Sequence, residues 1–69
     1  MNDHELQCLL EVYRHAPLTK SDFARSCATT VAYLACNGFI TTRDGAGEWG
    51  NTWRHTDTGY QALSKGGVL

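Results

Sequence analysis

The chain changes its hydrophobic period at Asn37-Gly38, and that change limits the fold more than any other feature of the sequence. Before it, apolar residues recur at helical spacing. After it, they follow the twofold alternation of a strand. The order of elements is thereby set: helices first, then an antiparallel hairpin.

The helical part divides at its capping signals. Asn2 precedes Glu5 by three residues, the pattern in which an N-cap side chain and an N3 carboxylate satisfy free backbone N–H groups reciprocally. Leu6, Leu9, Leu10 and Tyr13 then form an inward stripe, with Arg14 and His15 in the last turn where positive charge suits the helix dipole. Pro17 restricts Ala16 and stops this helix, which is expected over residues 3–15. Thr19 and Asp22 read as a second cap, with Leu18 and Phe23 spaced as a hydrophobic staple. A short helix is expected from Lys20 to about Cys27, turning Phe23, Ala24 and Cys27 inward and Lys20 and Arg25 outward. Ser26 to Thr29 leaves room only for a tight turn. A third helix starts near Thr29 or Thr30, buries Val31, Leu34 and Ala35, and stops at a left-handed Asn37-Gly38.

Beyond Gly38, residues 39–43 are β-branched and strand-like, residues 44–48 form a glycine turn, and residues 51–56 return with Trp53 facing the core. Thr56 or Asp57 caps a closing helical turn over residues 57–64, in which Tyr60 and Leu63 pack back, and residues 64–69 are expected to fray. The fold class that follows is α+β, a winged helix-turn-helix. The helix-turn-helix occupies about residues 18–38, the wing about 39–56 and the exit helix about 57–64 of a single domain spanning 1–69.

Composition narrows the partners. With 69 residues, the chain buries only about 60% of the surface that its unfolded form exposes, so the core must be lean. An apolar fraction of 42% beside 19% charged residues is that of a globular domain, not a disordered tail. A net charge of −1 argues against strong nonspecific affinity for a polyanion. No apolar run is long enough to span a bilayer, and the acidic, polar start of the chain does not read as a signal peptide. The three cysteines, Cys8, Cys27 and Cys36, cannot all pair, and buried free thiols in a reducing cytoplasm are expected. With no room for additional dimerisation helices, a monomer is the default.

Gly38-Phe39-Ile40, a glycine-rich turn, Trp53 and the run Thr56-Asp57-Thr58-Gly59-Tyr60-Gln61-Ala62-Leu63 resemble the wing and exit helix of MarR-type winged-helix proteins. Thr56, Gly59 and Leu63 match the T-x-x-G-x-x-x-L ending of that group, and the likeness covers about residues 18–63. Over its whole length the chain is also similar to a family of small T-seven-like phage proteins. Those proteins inhibit bacterial RNA polymerase carrying the stationary-phase sigma factor. The residues that carry this are Ser21, Phe23, Arg25, Ala28, Val31-Ala32, Gly38 and Ile40, then Gly47, Gly50, Trp53, Thr56, Gly59, Leu63 and Gly66-Gly67. Glu48 departs from the pattern, standing where that family has a basic residue. The resemblance implies a phage-encoded inhibitor in the host cytoplasm, docking on RNA polymerase or its promoter complex, with Arg25 in the contact.

The residues themselves leave two binding readings open. On duplex DNA, Thr29 and Thr30 would bond phosphate at a helix N-terminus, with Lys20, Arg25, Arg43 and Arg54 as flanking contacts. The outward face of the third helix, however, is Thr30, Ala32, Tyr33, Cys36 and Asn37, without an Arg or Lys to read bases. Tyr33 and Trp49 are large aromatics with no evident core duty, and aromatics beside arginine are the material of protein–protein hot spots. A non-enzymatic transcription inhibitor acting through a protein surface is therefore expected first. A duplex-DNA repressor or excisionase comes second, and an inhibitor of a host defence complex third. No catalytic constellation and no cofactor are expected. His4 and Cys8 share a helical face at i, i+4, but the other cysteines fall on separate helices at spacing that suggests no metal site.

Overall fold

The computed structural model describes residues 1–69, with four helices and a two-stranded antiparallel sheet. In chain order these are α1 (Asp3–His15), α2 (Asp22–Ser26), α3 (Ala28–Cys36), β1 (Ile40–Arg43), β2 (Trp49–His55) and α4 (Asp57–Lys65). The fold is α+β, and its order and layout are compatible with a winged helix. No helix is long and apolar enough to cross a membrane.

The caps explain most of the boundaries. The Asn2–Glu5 capping box forms in both directions, at 2.8 and 2.9 Å. Ala16 ends α1 in the left-handed region at φ 44°, its N–H still bonded to Val12 C=O at 3.0 Å, and Pro17 disfavours the right-handed helical conformation that would continue the helix. At the end of α3, Gly38 at φ 77° makes a Schellman closure: Phe39 N–H bonds to Leu34 C=O at 2.9 Å and Gly38 N–H to Ala35 C=O at 3.1 Å. Thr56 caps α4, accepting from Gly59 N–H at 3.0 Å.

The boundaries expected for α2 and α3 shift in the structure. The N-cap of α2 is Ser21, not Thr19, and the helix starts at Asp22 rather than Lys20. The cause is tertiary: Thr19 N–H is taken by Asn51 C=O at 2.8 Å, and Trp53 N–H bonds back to Pro17 C=O at 2.8 Å. The segment before α2 is thus a single-residue strand, bridged antiparallel at Leu18 and Thr52, which holds it extended past Thr19. The staple goes with it, since Leu18 is 55% exposed. The third helix starts at Ala28, slightly before Thr29, because Cys27 alone separates it from α2.

The core is one cluster. Leu6, Cys8, Leu9, Leu10 and Val12 of α1 pack with Val31 and Leu34 of α3, Ile40 of β1 and Leu63 of α4. Burying each such side chain contributes roughly 1.5–3 kcal/mol. Tyr13 and Tyr60, expected to pack inward, are instead exposed. Tyr13 lies edge-on to His55 at 4.9 Å between centroids, with Tyr60 at 6.0 Å, so they cover the outside of the core rather than fill it. The expected fraying of residues 64–69 also fails. Helix α4 runs to Lys65 and closes with a second Schellman pair, Val68 N–H to Leu63 C=O and Gly67 N–H to Ser64 C=O, which brings Val68 against the core.

In the hairpin, Ile40 pairs with His55 and Thr41 with Arg54, while Arg43 pairs with Trp49. The last pair is out of step with the first two, so β2 carries a bulge between them. Strand β2 therefore begins at Trp49, earlier than the expected residue 51, and strand β1 begins at Ile40. Asp44 organises the tip: its Oδ1 accepts from Ala46 N–H at 2.9 Å and Glu48 N–H at 3.0 Å.

Candidate functional site

The expected site residues separate into three places. At the hairpin tip, the bulge sets Arg43 opposite Trp49, and the Arg43 guanidinium lies 4.8 Å from the centre of the indole ring. This cation–π stack, in the range of about 0.5–1 kcal/mol at exposed sites, fixes two long side chains that would otherwise roam. Trp49 remains 71% exposed. A pre-ordered aromatic with an arginine edge presents apolar area and hydrogen-bond donors at a reduced entropic cost on binding. Asp44 and Glu48 flank the pair, so the tip carries mixed charge.

The second place is a cleft of about 250 Å³ where α2 meets α3, lined by His4, Arg25, Ser26, Cys27, Thr29 and Thr30 among others. Here the structure brings together three of the expected residues, Arg25, Thr29 and Thr30, at the N-terminus of α3. That terminus has no side-chain cap, which leaves its first backbone N–H groups without a side-chain partner. Arg25 donates to Asp22 Oδ1 at 3.0 Å on the exposed face of α2, a surface pair of little energetic weight.

Tyr33 occupies the third place. It is 40% exposed and tilts over Phe39 at 6.4 Å between centroids. It lines a broad open groove of about 490 Å³ with Met1, Leu6, Phe39, Ala62 and Lys65. Tyr33 therefore belongs with α4 and the chain start, whereas Arg25, Thr29 and Thr30 line the other cleft. Lys20 is exposed in the turn before α2, and Arg54 is exposed on β2 opposite Thr41; neither joins one of these groups.

Two arrangements escaped the sequence. One is the exposed stack of Tyr13, His55 and Tyr60, gathered from α1, β2 and α4. The other corrects the reading that the remaining cysteines are too badly placed to join His4 and Cys8. Cys27, the single residue between α2 and α3, turns toward α1. The His4 ring nitrogen, Cys8 Sγ and Cys27 Sγ then all lie within 4.8 Å of one another. Half of this cluster was legible as the i, i+4 pair on α1; the third member depended on how α2 and α3 join. Burial pushes the Cys8 thiol up from 9.0 to about 12, and the adjacent Cys27 thiol adds to the rise. Cys36, expected as a buried thiol, is instead exposed on α3 and lies apart from this cluster.

Comparison with protein families, with curated proteins and with solved structures finds no match for this chain.

Proposed function

We propose that the chain is a non-enzymatic winged-helix module that inhibits transcription by docking on bacterial RNA polymerase or its promoter complex. The observation that carries this reading is the Arg43–Trp49 stack, a rigid and exposed aromatic–arginine pair at the tip of a hairpin. Tryptophan and arginine are both enriched in protein–protein hot spots. The exposed face of α3, with Ala32, Tyr33, Cys36 and Asn37, offers no Lys or Arg to a major groove, which turns the reading toward a protein surface. Inhibition would come from occlusion: the module holds a surface that sigma factor or promoter DNA needs. The resemblance to the phage inhibitors supports the same partner and adds Arg25 to the contact.

A second reading, a duplex-DNA regulator, is favoured by the cleft that gathers Arg25, Thr29 and Thr30 at the α3 N-terminus, where a phosphate would find free N–H groups. One experiment separates them: affinity capture of the tagged chain from a bacterial lysate, with and without nuclease. Polymerase subunits retained after nuclease treatment are expected. Recovery of polymerase only without nuclease transfers the case to DNA, and recovery of no polymerase subunit in either arm overturns the first reading.

A further inference from the structure

We propose that His4, Cys8 and Cys27 form a Zn²⁺ site that ties α1 to the junction of α2 and α3. All three ligand atoms lie within 4.8 Å of one another, and His4 Nε2 is 3.8 Å from Cys8 Sγ. A tetrahedral zinc ion with ordinary bond lengths places nitrogen and sulfur ligands about 3.6 Å apart and two sulfurs about 3.8 Å apart. The cluster thus needs only small side-chain movements to close on an ion.

The ligand chemistry selects the metal. Two thiolates and one imidazole are a soft set, suited to zinc and unsuited to magnesium or calcium, which require oxygen ligands. Binding forms two Zn–S bonds and one Zn–N bond. It releases two thiol protons to solvent and changes no oxidation state, so no oxidant or reductant is involved. The two thiolates cancel the charge of the ion, and neutral imidazole adds none, so the half-buried site is left without net charge. The fourth position opens on the cleft beside Arg25, Ser26, Thr29 and Thr30, since His4 and Cys27 both line it. A zinc ion with three protein ligands keeps that position open to water.

The site also answers a structural need. Helix α2 is five residues long with no fully buried residue, and it is joined to α3 through Cys27 alone. A metal bridge from Cys27 to α1 would fix this junction, where α2 contributes only partly buried side chains, in the manner of small domains that supplement a lean core with an ion. The cleft holding Arg25, Thr29 and Thr30 would then keep one shape.

The test uses the whole chain, reduced by a phosphine, and titrated with Co²⁺ as an optical stand-in for Zn²⁺. One equivalent is expected to give sulfur-to-cobalt charge transfer with the visible bands of a tetrahedral site, bleached on adding Zn²⁺. His4 is exposed, so His4→Ala leaves the fold intact. It is expected to weaken zinc by about 100-fold or more, since losing even an outer partner of a metal ligand costs about 10–100-fold. Cys27→Ser removes one charge-transfer contribution, and Cys36→Ser changes nothing. Zinc raises the melting temperature of the wild type but not of His4→Ala. Absence of the charge-transfer band in the reduced wild type overturns the proposal, as does a band unchanged in both His4→Ala and Cys27→Ser. So does a Cys8–Cys27 disulfide whose reduced form binds no cobalt.

Discussion

At the helical end of the molecule Leu9, Leu34 and Leu63 are closed off from solvent, whereas every residue from 43 to 51 at the hairpin tip is exposed. The helical end is held by side-chain caps on α1, α2 and α4 and by one apolar cluster drawn from α1, α3, β1 and α4. The tip is held by local bonds from Asp44, a bulge, and the stack of Arg43 on Trp49. Different residues thus carry the stability and the recognition proposed for the tip. A large tryptophan that contributes nothing to the core is free to answer to a partner alone.

This division can be broken by experiment, beginning at the helical end. Leu34→Ala removes a fully buried side chain at the meeting of α3 with the core and should cost about 2–5 kcal/mol in chemical denaturation. A loss below 1 kcal/mol would mean that the cluster is not the centre of stability. Gly59→Ala comes next. A Cβ at that position would overlap the Phe39 carbonyl oxygen and crowd Leu9 Cδ1, and a backbone carbonyl has little freedom to give way. The expected cost is about 3 kcal/mol, the upper part of the overpacking range, measurable in the same denaturation series. The smallest effect belongs to the tip. Trp49→Ala should change stability by no more than about 0.5 kcal/mol, as surface substitutions do, while it abolishes capture of polymerase from a lysate. A Trp49→Ala protein that unfolds more readily would show that the tip supports the fold. One that still captures polymerase would remove the tip from the interface.

The sequence was most legible where a local rule decided the outcome. The Asn2–Glu5 box, the Gly38 stop, the Thr56 cap and the glycine-turned hairpin each depend on residues a few positions apart, and each formed as expected. It was least legible where a distant contact chose between local options. Thr19 and Ser21 both suit an N-cap, and the backbone bond from Thr19 to Asn51 gave the role to Ser21. Periodicity placed Tyr13 in the inward stripe, yet the phenol finds its neighbours on β2 and α4 at the surface. Fraying seemed natural for a glycine-rich end, but the Val68 contact with the core made a second helix closure worth forming. Of the candidate site, the residue types were legible and their grouping was not. Tyr33 fell beside α4, and Arg43 met Trp49 only because β2 carries a bulge.

That bulge has a consequence for how the protein can change over evolutionary time. Below it, Ile40 faces His55, and Thr56 donates to Gly38 C=O at 2.6 Å while capping α4, so the strand ends and the last helix share one register. A residue gained or lost there would turn the strand over and uncap the helix together. Above it, the chain has already departed from strict pairing, and exposed backbone can absorb insertions without passing them inward. The tip is the part of this molecule whose length, as well as its sequence, can change without disturbing the core.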